Sequence, residues 1–325
     1  MYKAKIDLKY NSCLVTGGAG FIGSHICEEA VNQGKRVICL DNMVAGKEEN
    51  IAGLRDKKNF TFFRADVTDL ETIVPQFKEV DIVFHNAASK CTVCRQDPFL
   101  DLKVNTWGTW CVLEASRLAK VKKVIVASTG SVYGEARYLP QDEEHPVKPR
   151  SNYGVSKLAG ERYAEVFKEY YGLDYSVIRY FHVYGPRQES AEWGGVIPIF
   201  IRRAWQDKPL TIFGDGSQVR SFTYVKDDVN ANFLLANDSR ANGQVYNAAS
   251  GIKVTILELA GLVKELMGKT SLPVEFADWR SGDIKVFDIN NSKIKELGLS
   301  FETDFRAGLQ ATIDWYKGYF KAQRI

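Results

Sequence analysis

A glycine-rich turn near the start of the chain restricts the possible folds more than any other feature. The apolar run Cys13–Thr16 leads into three glycines spaced G-x-x-G-x-x-G, which are Gly17, Gly20 and Gly23. Glycines at this spacing also occur in ordinary turns, but here a helical pattern over Ile22–Gln33 follows. A strand, a glycine turn and a helix in this order bind a dinucleotide. The pyrophosphate then lies at the helix N-terminus, where N–H groups and the helix dipole favour anions.

Two acidic residues that follow later apolar runs support the same interpretation. Asp41 ends the second run, 24 residues after Gly17, where a carboxylate can accept a hydrogen bond from an adenosine ribose. Its charge would repel a 2′-phosphate and so favours NAD over NADP; a surface or capping role is the alternative. Asp66 follows the third run, where it can meet the adenine amino group or cap a helix over Val67–Phe77.

The first half of the chain alternates short apolar runs with amphipathic segments. Near-continuous apolar runs are typical of parallel strands buried on both faces, and their alternation with helices predicts a Rossmann-type, doubly wound α/β sheet. The predicted strands are Cys13–Thr16, Val37–Leu40, Phe60–Arg64, Ile82–His85, Val124–Ala127 and Tyr175–Arg179. The predicted helices are Ile22–Gln33, Leu70–Phe77, Leu100–Ala119 and Tyr153–Tyr171.

The pattern changes after about Tyr180, where glycine, proline and arginine become frequent. Such segments form loops that can line a cleft. Three further helices are predicted near Leu257–Met267, Lys293–Leu297 and Phe305–Phe320. We therefore predict an NAD-binding domain over residues 1–181, to which residues 221–250 return, and a smaller C-terminal substrate-binding lobe over residues 182–220 and 251–325.

Composition and cysteine usage argue against several other classes of protein. The net charge is +3, with acidic and basic residues interleaved, so nucleic-acid binding is not predicted. No apolar run approaches the roughly 18 residues of a membrane span, and the start of the chain has no signal-peptide core. The six cysteines then predict reduced thiols in a cytoplasm. Cys91 and Cys94 lack the second pair that a zinc site needs, so no metal is expected, and a place in the substrate-pocket wall is favoured over a disulfide.

Three side chains form a candidate catalytic group. Tyr153 and Lys157 are four residues apart on a predicted helix and therefore share one face. A tyrosine with its ordinary pKa of about 10 is a poor base, but a neighbouring ammonium favours the phenolate and lowers that pKa. Thr129 follows the strand Val124–Ala127, at the sheet edge that faces a cofactor, where its hydroxyl can hold a substrate oxygen. Each element alone has an ordinary structural alternative, a solvated helix face or a turn.

Taken together and in order, the motifs resemble those of a known family. They are Gly17-x-x-Gly20-x-x-Gly23, His85-Asn86-Ala87-Ala88, Ser128-Thr129-Gly130-Ser131-Val132-Tyr133-Gly134, Tyr153-x-x-x-Lys157, Arg179-Tyr180-Phe181-His182-Val183-Tyr184-Gly185-Pro186-Arg187 and Phe213-Gly214-Asp215-Gly216. The chain resembles the extended short-chain dehydrogenases/reductases, in particular the NAD-dependent nucleotide-sugar epimerases and dehydratases. The loop Ser128–Gly134 is most similar to that of the UDP-hexose and UDP-hexuronate 4-epimerases.

The resemblance implies roles for individual residues. It makes Thr129, Tyr153 and Lys157 the catalytic triad. The cofactor-binding residues that it implies are Gly17, Gly20, Phe21, Ile22, Gly23, Asp41, Asn42, Asp66, Val67, Ala87, Ala88, Lys90, Asn105, Tyr153 and Lys157. The substrate-binding residues that it implies are Ser131, His182, Arg187, Val196, Arg220, Arg280 and Asp283. Arg220 and Arg280 would hold the diphosphate of the sugar nucleotide, since guanidinium groups match phosphate oxygens.

The residues after Thr129 discriminate among the reactions of this family. A 4,6-dehydratase carries acidic groups directly after the catalytic hydroxyl, whereas Gly130 and Ser131 stand here and cannot do carboxylate acid–base work. We therefore predict a nucleotide-sugar 4-epimerase that passes through a transient 4-keto sugar, with UDP-sugars favoured. A C4 dehydrogenase or ketoreductase that releases reduced cofactor is the alternative, and a non-catalytic nucleotide-binding protein is a third.

His182 departs from the family pattern. The family often has asparagine after Arg-Tyr-Phe, whereas His182 occupies that position. Its imidazole could bond a diphosphate or sugar oxygen and titrate near neutrality, or could simply be packed.

Relatives pair through two long helices per subunit, and Leu100–Ala119 and Tyr153–Tyr171 match them. The resemblance therefore implies a homodimer.

Overall fold

A seven-stranded parallel sheet forms the centre of the protein. The computed structural model describes residues 5–90, 94, 96–191, 194–279 and 287–324. The sheet order is β11-β6-β5-β4-β1-β2-β3. Its strands are β1 (Ser12–Thr16), β2 (Arg36–Asp41), β3 (Phe60–Arg64), β4 (Ile82–His85), β5 (Lys123–Thr129), β6 (Asp174–Tyr180) and β11 (Gln244–Ala248). All neighbouring strands pair in parallel, which is the doubly wound Rossmann arrangement.

Helices cover both faces of this sheet and continue through the C-terminal part of the chain. The described α-helices are α1 (Phe21–Asn32), α2 (Glu48–Ile51), α3 (Leu70–Ile73), α4 (Pro98–Asp101), α5 (Gly108–Leu118), α6 (Asn152–Tyr171), α7 (Val196–Trp205), α8 (Val225–Asn237), α9 (Ile256–Leu266), α10 (Ser292–Glu296) and α11 (Phe305–Gln323). Strand β1 shows why both faces are covered: Cys13 and Val15 belong to one buried cluster, whereas Leu14 between them belongs to another. A strand that is apolar on both faces must bury both.

The strand predictions agree with the structure more closely than the helix predictions. Each of the six predicted runs is a strand, but β5 extends to Thr129, so this residue ends the strand and does not follow it. The predicted helix Leu100–Ala119 is wrong as one regular helix, because α4 and α5 are separated by a π-helix over Leu102–Trp107. The predicted helix Leu70–Phe77 also changes form, since α3 ends at Ile73 and a 3-10 turn with Pro75 follows.

A second apolar core lies in the C-terminal part of the chain. It is formed by residues of α7, α9 and α11 together with short strands, and Ile201, Leu259, Leu309 and Tyr316 are fully buried in it. The short strands are β7 (Val183–Tyr184), β8 (Leu210–Phe213), β9 (Val219–Ser221), β10 (Thr223–Tyr224), β12 (Lys253–Thr255) and β13 (Val274–Ala277). They form three two-stranded pairs, β7 with β10, β9 with β12 and β8 with β13.

The strand order places the functional edge of the sheet. Chain order reverses between β1 and β4, which are neighbours in the sheet. In open α/β sheets a ligand binds in the crevice outside the carboxyl ends of the strands at such a switch point. The glycine turn after β1, the loop after β4 and Thr129 at the end of β5 all lie at this edge.

Candidate active site

The glycine turn brings the ends of β1 and β4 into contact. Gly17 has a φ of +64°, a conformation that favours glycine. A Cβ on Gly17 would lie 2.8 Å from the Ala87 backbone nitrogen, and a Cβ on Gly23 would overlap the Gly17 carbonyl. Helix α1 has Gly20 as its N-cap and no acidic residue in its first turn. This helix N-terminus therefore suits the pyrophosphate of a dinucleotide.

Asp41 is built into the turn that would receive the adenosine ribose. Its carboxylate is 6% exposed and accepts hydrogen bonds from the Ala19 N–H at 3.0 Å and the Met43 N–H at 2.8 Å. Burial raises the pKa of this carboxyl. Gly46 packs against it so closely that a Cβ there would lie 2.6 Å from Asp41 Oδ1. Sequence reasoning missed Gly46, because no motif marks that position.

Asn42, which the resemblance assigns to the ribose, and Asp66, which it assigns to the adenine, meet beside Asp41. Asn42 Nδ2 donates to Asp66 Oδ2 at 2.9 Å, and Asp66 Oδ1 accepts from the Thr68 N–H at 2.9 Å. The alternative that Asp66 caps the next helix is wrong, because Asp69 is the N-cap of α3 and accepts from the Thr72 N–H. Val67 is buried in the core beneath this turn.

A buried hydrogen-bond chain fixes the loop after β4, and it was not found from the sequence. His85 Nδ1 lies 2.7 Å from Thr16 Oγ1, and His85 Nε2 lies 2.9 Å from Thr109 Oγ1. Thr109 donates to the Asn105 carbonyl, so His85 donates from Nε2 and accepts from Thr16 at Nδ1. Burial, with a smaller effect of Lys157, lowers the pKa of His85 to about 3, so the imidazole is neutral at physiological pH.

The same hydrogen-bond chain positions the cofactor-binding residues that are predicted in this loop. The Ala87 N–H donates to Thr16 Oγ1 at 3.2 Å. Asn105, on the π-helix, is fully buried and holds the loop from the other side, since its Oδ1 accepts from the Ser89 N–H at 2.8 Å. Ala88 is half-buried, and Lys90 is exposed at the end of the loop.

Thr129 and Tyr153 lie on two elements that approach each other closely. Thr129 Oγ1 accepts from the Ser131 N–H at 3.2 Å, which caps the short turn after β5. A Cβ on Gly154 would lie 2.7 Å from the Ser131 carbonyl oxygen, so the first turn of α6 packs directly on this turn. Tyr153 is half-buried in that first helical turn. The structure thus places Thr129, Ser131 and the Tyr153 backbone in one region.

Lys157 lies one helical turn beyond Tyr153 and is 4% exposed. Burial lowers the pKa of its ammonium to about 8, although the carboxylates of Glu161 and Asp101 raise it. A buried lysine with this pKa is still mostly charged at neutral pH and can stabilise a nearby anion. The side chain therefore suits the role that the sequence predicts for it.

His182 and Arg220 are brought together around a phenylalanine that sequence reasoning missed. The His182 ring lies edge-on to Phe222 and Phe287, with centroids 5.9 and 4.8 Å away. The Arg220 guanidinium carbon lies 5.2 Å from the centre of the Phe287 ring. The expectation that His182 titrates near neutrality is wrong, because burial, and then Arg220, lower its pKa to about 3.

The remaining predicted substrate residues are distributed more widely. Arg187 Nη2 donates to Glu28 on α1 at 2.9 Å, so this guanidinium pairs within the protein. Val196 begins α7. Arg280 and Asp283 lie outside the described residues.

Cys94 is buried and donates its thiol hydrogen to Asp101 Oδ1 at 2.6 Å. It is one of five free cysteines among the described residues, and Cys91 lies outside them. Within the described ranges, no three His, Cys, Asp or Glu side chains are grouped as metal ligands would be.

The fold and the candidate site together define the class of protein. The sheet, the turn and the Tyr153–Lys157 helix are those of an extended short-chain dehydrogenase/reductase that uses NAD. More particularly, the chain belongs to the NAD dependent epimerase/dehydratase family, whose model matches residues 13–249. It is therefore an enzyme.

Individual relatives match over nearly the whole chain. A UDP-glucose 4-epimerase of Mycolicibacterium smegmatis is 36% identical over 310 residues, which cover 94% of this chain and 98% of the relative. The UDP-glucose 4-epimerase of Thermotoga maritima, solved with UDP-glucose, has a TM-score of 0.89 at 36% identity and covers 95% of this chain and 99% of its own. The UDP-glucuronic acid 4-epimerase of Bacillus cereus, solved with UDP-glucuronic acid and NAD, has a TM-score of 0.86 at 32% identity, with 95% and 99% covered.

None of the helices in the described part of the chain combines the length with the apolarity that a membrane span requires.

Proposed function

We propose that this enzyme interconverts the C4 epimers of a UDP-linked sugar. The observation that carries the proposal is the turn after β5, where Thr129 is followed by Gly130 and Ser131 in contact with the first turn of α6. The 4,6-dehydratases that the chain resembles carry acidic groups at this place to eliminate water, and neither Gly130 nor Ser131 can do carboxylate acid–base work. The triad alone suffices for epimerisation. The UDP-sugar 4-epimerases among the relatives support this assignment.

Each residue of the triad has a separate role in the proposed reaction. Bound NAD supplies a hydride acceptor that can return the hydride to either face of the sugar ring. Tyr153, as phenolate, removes the proton from the C4 hydroxyl and later returns it to the C4 oxygen. The Thr129 hydroxyl donates a hydrogen bond to that oxygen, and Lys157 stabilises the phenolate.

Other residues hold the substrate so that both faces of C4 can be presented. In this proposal Arg220 and Arg280 bind the diphosphate, while Ser131, His182, Val196 and Asp283 line the sugar site. His182 is neutral at physiological pH and acts as a hydrogen-bonding group without charge. Arg187 contributes indirectly, because its guanidinium is paired with Glu28 on the cofactor-binding helix.

A turnover screen without added cofactor tests the proposal. Purified enzyme is mixed with UDP-glucose, UDP-glucuronate or their N-acetyl forms, and the C4 epimer is separated by chromatography. An epimerase forms the epimer catalytically with the NAD it retains. A dehydrogenase instead gives a stoichiometric absorbance change at 340 nm that requires added NAD. Absence of any epimer from a folded, NAD-containing protein would refute the assignment.

The buried position of Lys157 predicts that kcat/KM declines at alkaline pH. This decline is called the alkaline limb below. Below about pH 8 its ammonium is charged and supports the phenolate; above that pH it loses its proton and the support disappears. We expect kcat/KM to fall above about pH 8, approaching tenfold per pH unit. The residual activity of Lys157→Met is expected to lack this decline, and an alkaline limb retained by that variant would assign the limb to another group.

We propose further that the enzyme is a homodimer that pairs through α6 and the segment Leu100–Ala119, which contains the end of α4, the π-helix and α5. A groove of about 420 Å³ on this face is lined by Phe99, Leu102, Trp107, Trp110 and Tyr163 among others. Phe99 is 72% exposed and Leu102 is 55% exposed, and exposed apolar patches of this kind mark interfaces. All five cysteines in the described part of the chain are free, which supports a reducing, cytoplasmic compartment for the dimer.

A charge in this groove is expected to give a monomer. In a two-fold symmetric interface the change occurs twice, and each lost apolar side chain removes about 2 kcal/mol of burial. Trp107→Glu is therefore expected to weaken dimerisation by at least 100-fold in analytical ultracentrifugation. Phe276→Glu, an exposed aromatic on β13, is the matched control and is expected to leave the mass unchanged. A dimeric Trp107→Glu protein would contradict the proposed interface.

A further inference from the structure

A buried ion pair lies one turn of α6 beyond Lys157. Glu161 Oε2 accepts from Arg179 Nη2 at 2.6 Å, and Glu161 Oε1 accepts from Arg179 Nε at 3.0 Å. Both side chains are only 3% exposed. Two parallel charge-assisted hydrogen bonds fix the orientation of both groups. The Arg179 guanidinium also lies 4.6 Å from the centre of the Tyr133 ring, which holds it further.

The same carboxylate reaches the strand that carries Thr129. Ser128, 3% exposed at the end of β5, donates its hydroxyl hydrogen to Glu161 Oε1. Ser128 directly precedes Thr129 in the strand. Glu161 therefore ties together three elements, β5, β6 and α6, at the sheet edge where the proposed chemistry takes place.

Glu161 also lies one helical turn beyond Lys157, on the same face of α6. Residues at i and i+4 are neighbours on a helix surface. Two carboxylates on different elements act on Lys157, Glu161 on α6 and Asp101 on α4, and Lys157 in turn acts on the neutral His85 on β4. Arg179 on β6 partly cancels the charge of Glu161. Glu161 has the largest opposing effect to burial at Lys157.

We propose that Glu161 is a positioning residue for the triad, which keeps the Lys157 ammonium charged and aligns Thr129 through Ser128. This inference rests on the proposed function, because it assigns Glu161 a task in that reaction. Glu161 touches neither substrate nor cofactor in this proposal and acts only through its neighbours. In this proposal the positive charge of Arg179 in turn reduces the electrostatic attraction that Glu161 exerts on Lys157.

The proposal makes opposite predictions for the two partners of the ion pair. Glu161→Gln removes the attraction on Lys157 and leaves the repulsion of Arg179, so the pKa of Lys157 falls. Arg179→Gln removes the repulsion and leaves an unpaired carboxylate, so the pKa of Lys157 rises. We expect the alkaline limb of kcat/KM to move downward by about one pH unit in Glu161→Gln, and to move upward in Arg179→Gln. Both variants lose stability, so destabilisation alone cannot produce shifts of opposite sign.

Two further variants separate the effect of Glu161 on the charge of Lys157 from its effect on the alignment of Thr129. Ser128→Ala removes the hydroxyl between Glu161 and β5 without changing any charge, so it is expected to lower kcat about tenfold with the alkaline limb unmoved. The double variant Glu161→Gln with Arg179→Gln leaves no unpaired buried charge, so it remains folded if either single variant does not. Its alkaline limb is expected between those of the single variants.

The exposed pair Glu165 and Arg162 provides the matched control. These residues lie on the same helix, form a hydrogen bond of 2.8 Å and are 53% and 59% exposed. Glu165→Gln and Arg162→Gln make the same chemical changes in solvent, where a pair contributes little. They are expected to leave the pH profile unchanged.

A second readout does not require turnover. Because the folded pKa of Lys157 is about 8 and its ordinary value is 10.5, the folded protein releases this proton first. The free energy of unfolding therefore rises with pH between these values. Comparing each holoenzyme variant with the same variant carrying Lys157→Met isolates this contribution. Its onset is expected at lower pH in Glu161→Gln and at higher pH in Arg179→Gln.

The outcomes distinguish the two proposals from each other. Shifts of opposite sign in either readout support the role of Glu161. Shifts of the same sign, no shift, or equal shifts in the Glu165 control would overturn it. Failure of wild-type enzyme to epimerise any nucleotide sugar would refute the proposed function, while the unfolding measurement would still report on Glu161 and Lys157.

Discussion

Replacing Tyr153 with phenylalanine is expected to lower epimer formation by about 100-fold or more while the protein keeps its fold and its NAD. The phenol is the group that exchanges the C4 proton in the proposed mechanism, and a positioned acid–base group contributes about 10² to 10⁴ in rate. The ring is half-buried at the start of α6, next to the close contact between Gly154 and Ser131. Phenylalanine fills the same space, so the loss measures the hydroxyl itself. Steady-state turnover and the NAD content of the purified protein check this expectation.

Tyr170→Phe is the matched control for that experiment. Tyr170 lies on the same helix and is 73% exposed, so the same chemical change is made far from the crevice. We expect unchanged turnover in this variant. If Tyr153→Phe retained more than about a tenth of the wild-type rate, another group would carry the proton and the proposed mechanism would be wrong.

Replacing Gly23 with alanine is expected to give a protein without bound NAD and with reduced stability. A Cβ at this position would overlap the Gly17 carbonyl and lie 2.9 Å from its carbon atom. Both contacts are with backbone, so the start of α1 must move away from β1. Overpacking of this kind costs about 1–3 kcal/mol, and the same movement deforms the turn that holds the pyrophosphate. Absorbance of extracted NAD and thermal unfolding measure the two effects.

Gly261→Ala provides the comparison. Gly261 lies inside α9, and no atom lies within 4 Å of a Cβ placed there. Alanine is the better helix former by up to 1 kcal/mol, so we expect slightly higher stability and normal NAD content. A Gly23→Ala protein that retains stoichiometric NAD would show that helix α1 tolerates the shift and that the close approach is not needed for binding.

Six of the seven strands of the central sheet were predictable, whereas β11 and the π-helix beside the proposed interface were not. Runs such as Ile82–His85 are apolar at successive positions, and only a strand buried on both faces needs that pattern. The Leu100–Ala119 segment also has a helical pattern, but its backbone adopts a π-helix over Leu102–Trp107. Side-chain periodicity does not distinguish a local change from i→i−4 to i→i−5 hydrogen bonds. The placement of Asn105 could therefore not be derived.

The pKa of His182 is a property of the candidate site that could not be predicted from the sequence. His182 has an ordinary pKa near 6.5 by residue type, yet Phe222, Phe287 and Arg220 surround it and lower that pKa to about 3. Desolvation depends on which side chains enclose a group. Those neighbours come from segments 38 to 105 residues further along the chain, so no local pattern reports them.

By itself, the sequence determined the α/β class, the dinucleotide turn and the pair Tyr153 and Lys157, because each depends on residues that are neighbours in the chain. Only the tertiary structure decided that Glu161 meets Arg179 and Ser128 one turn of α6 beyond Lys157, and that His85 links Thr16 to Thr109. Periodicity tells which face of an element is buried, but the identity of the groups that meet there depends on how strands and helices distant in sequence pack together.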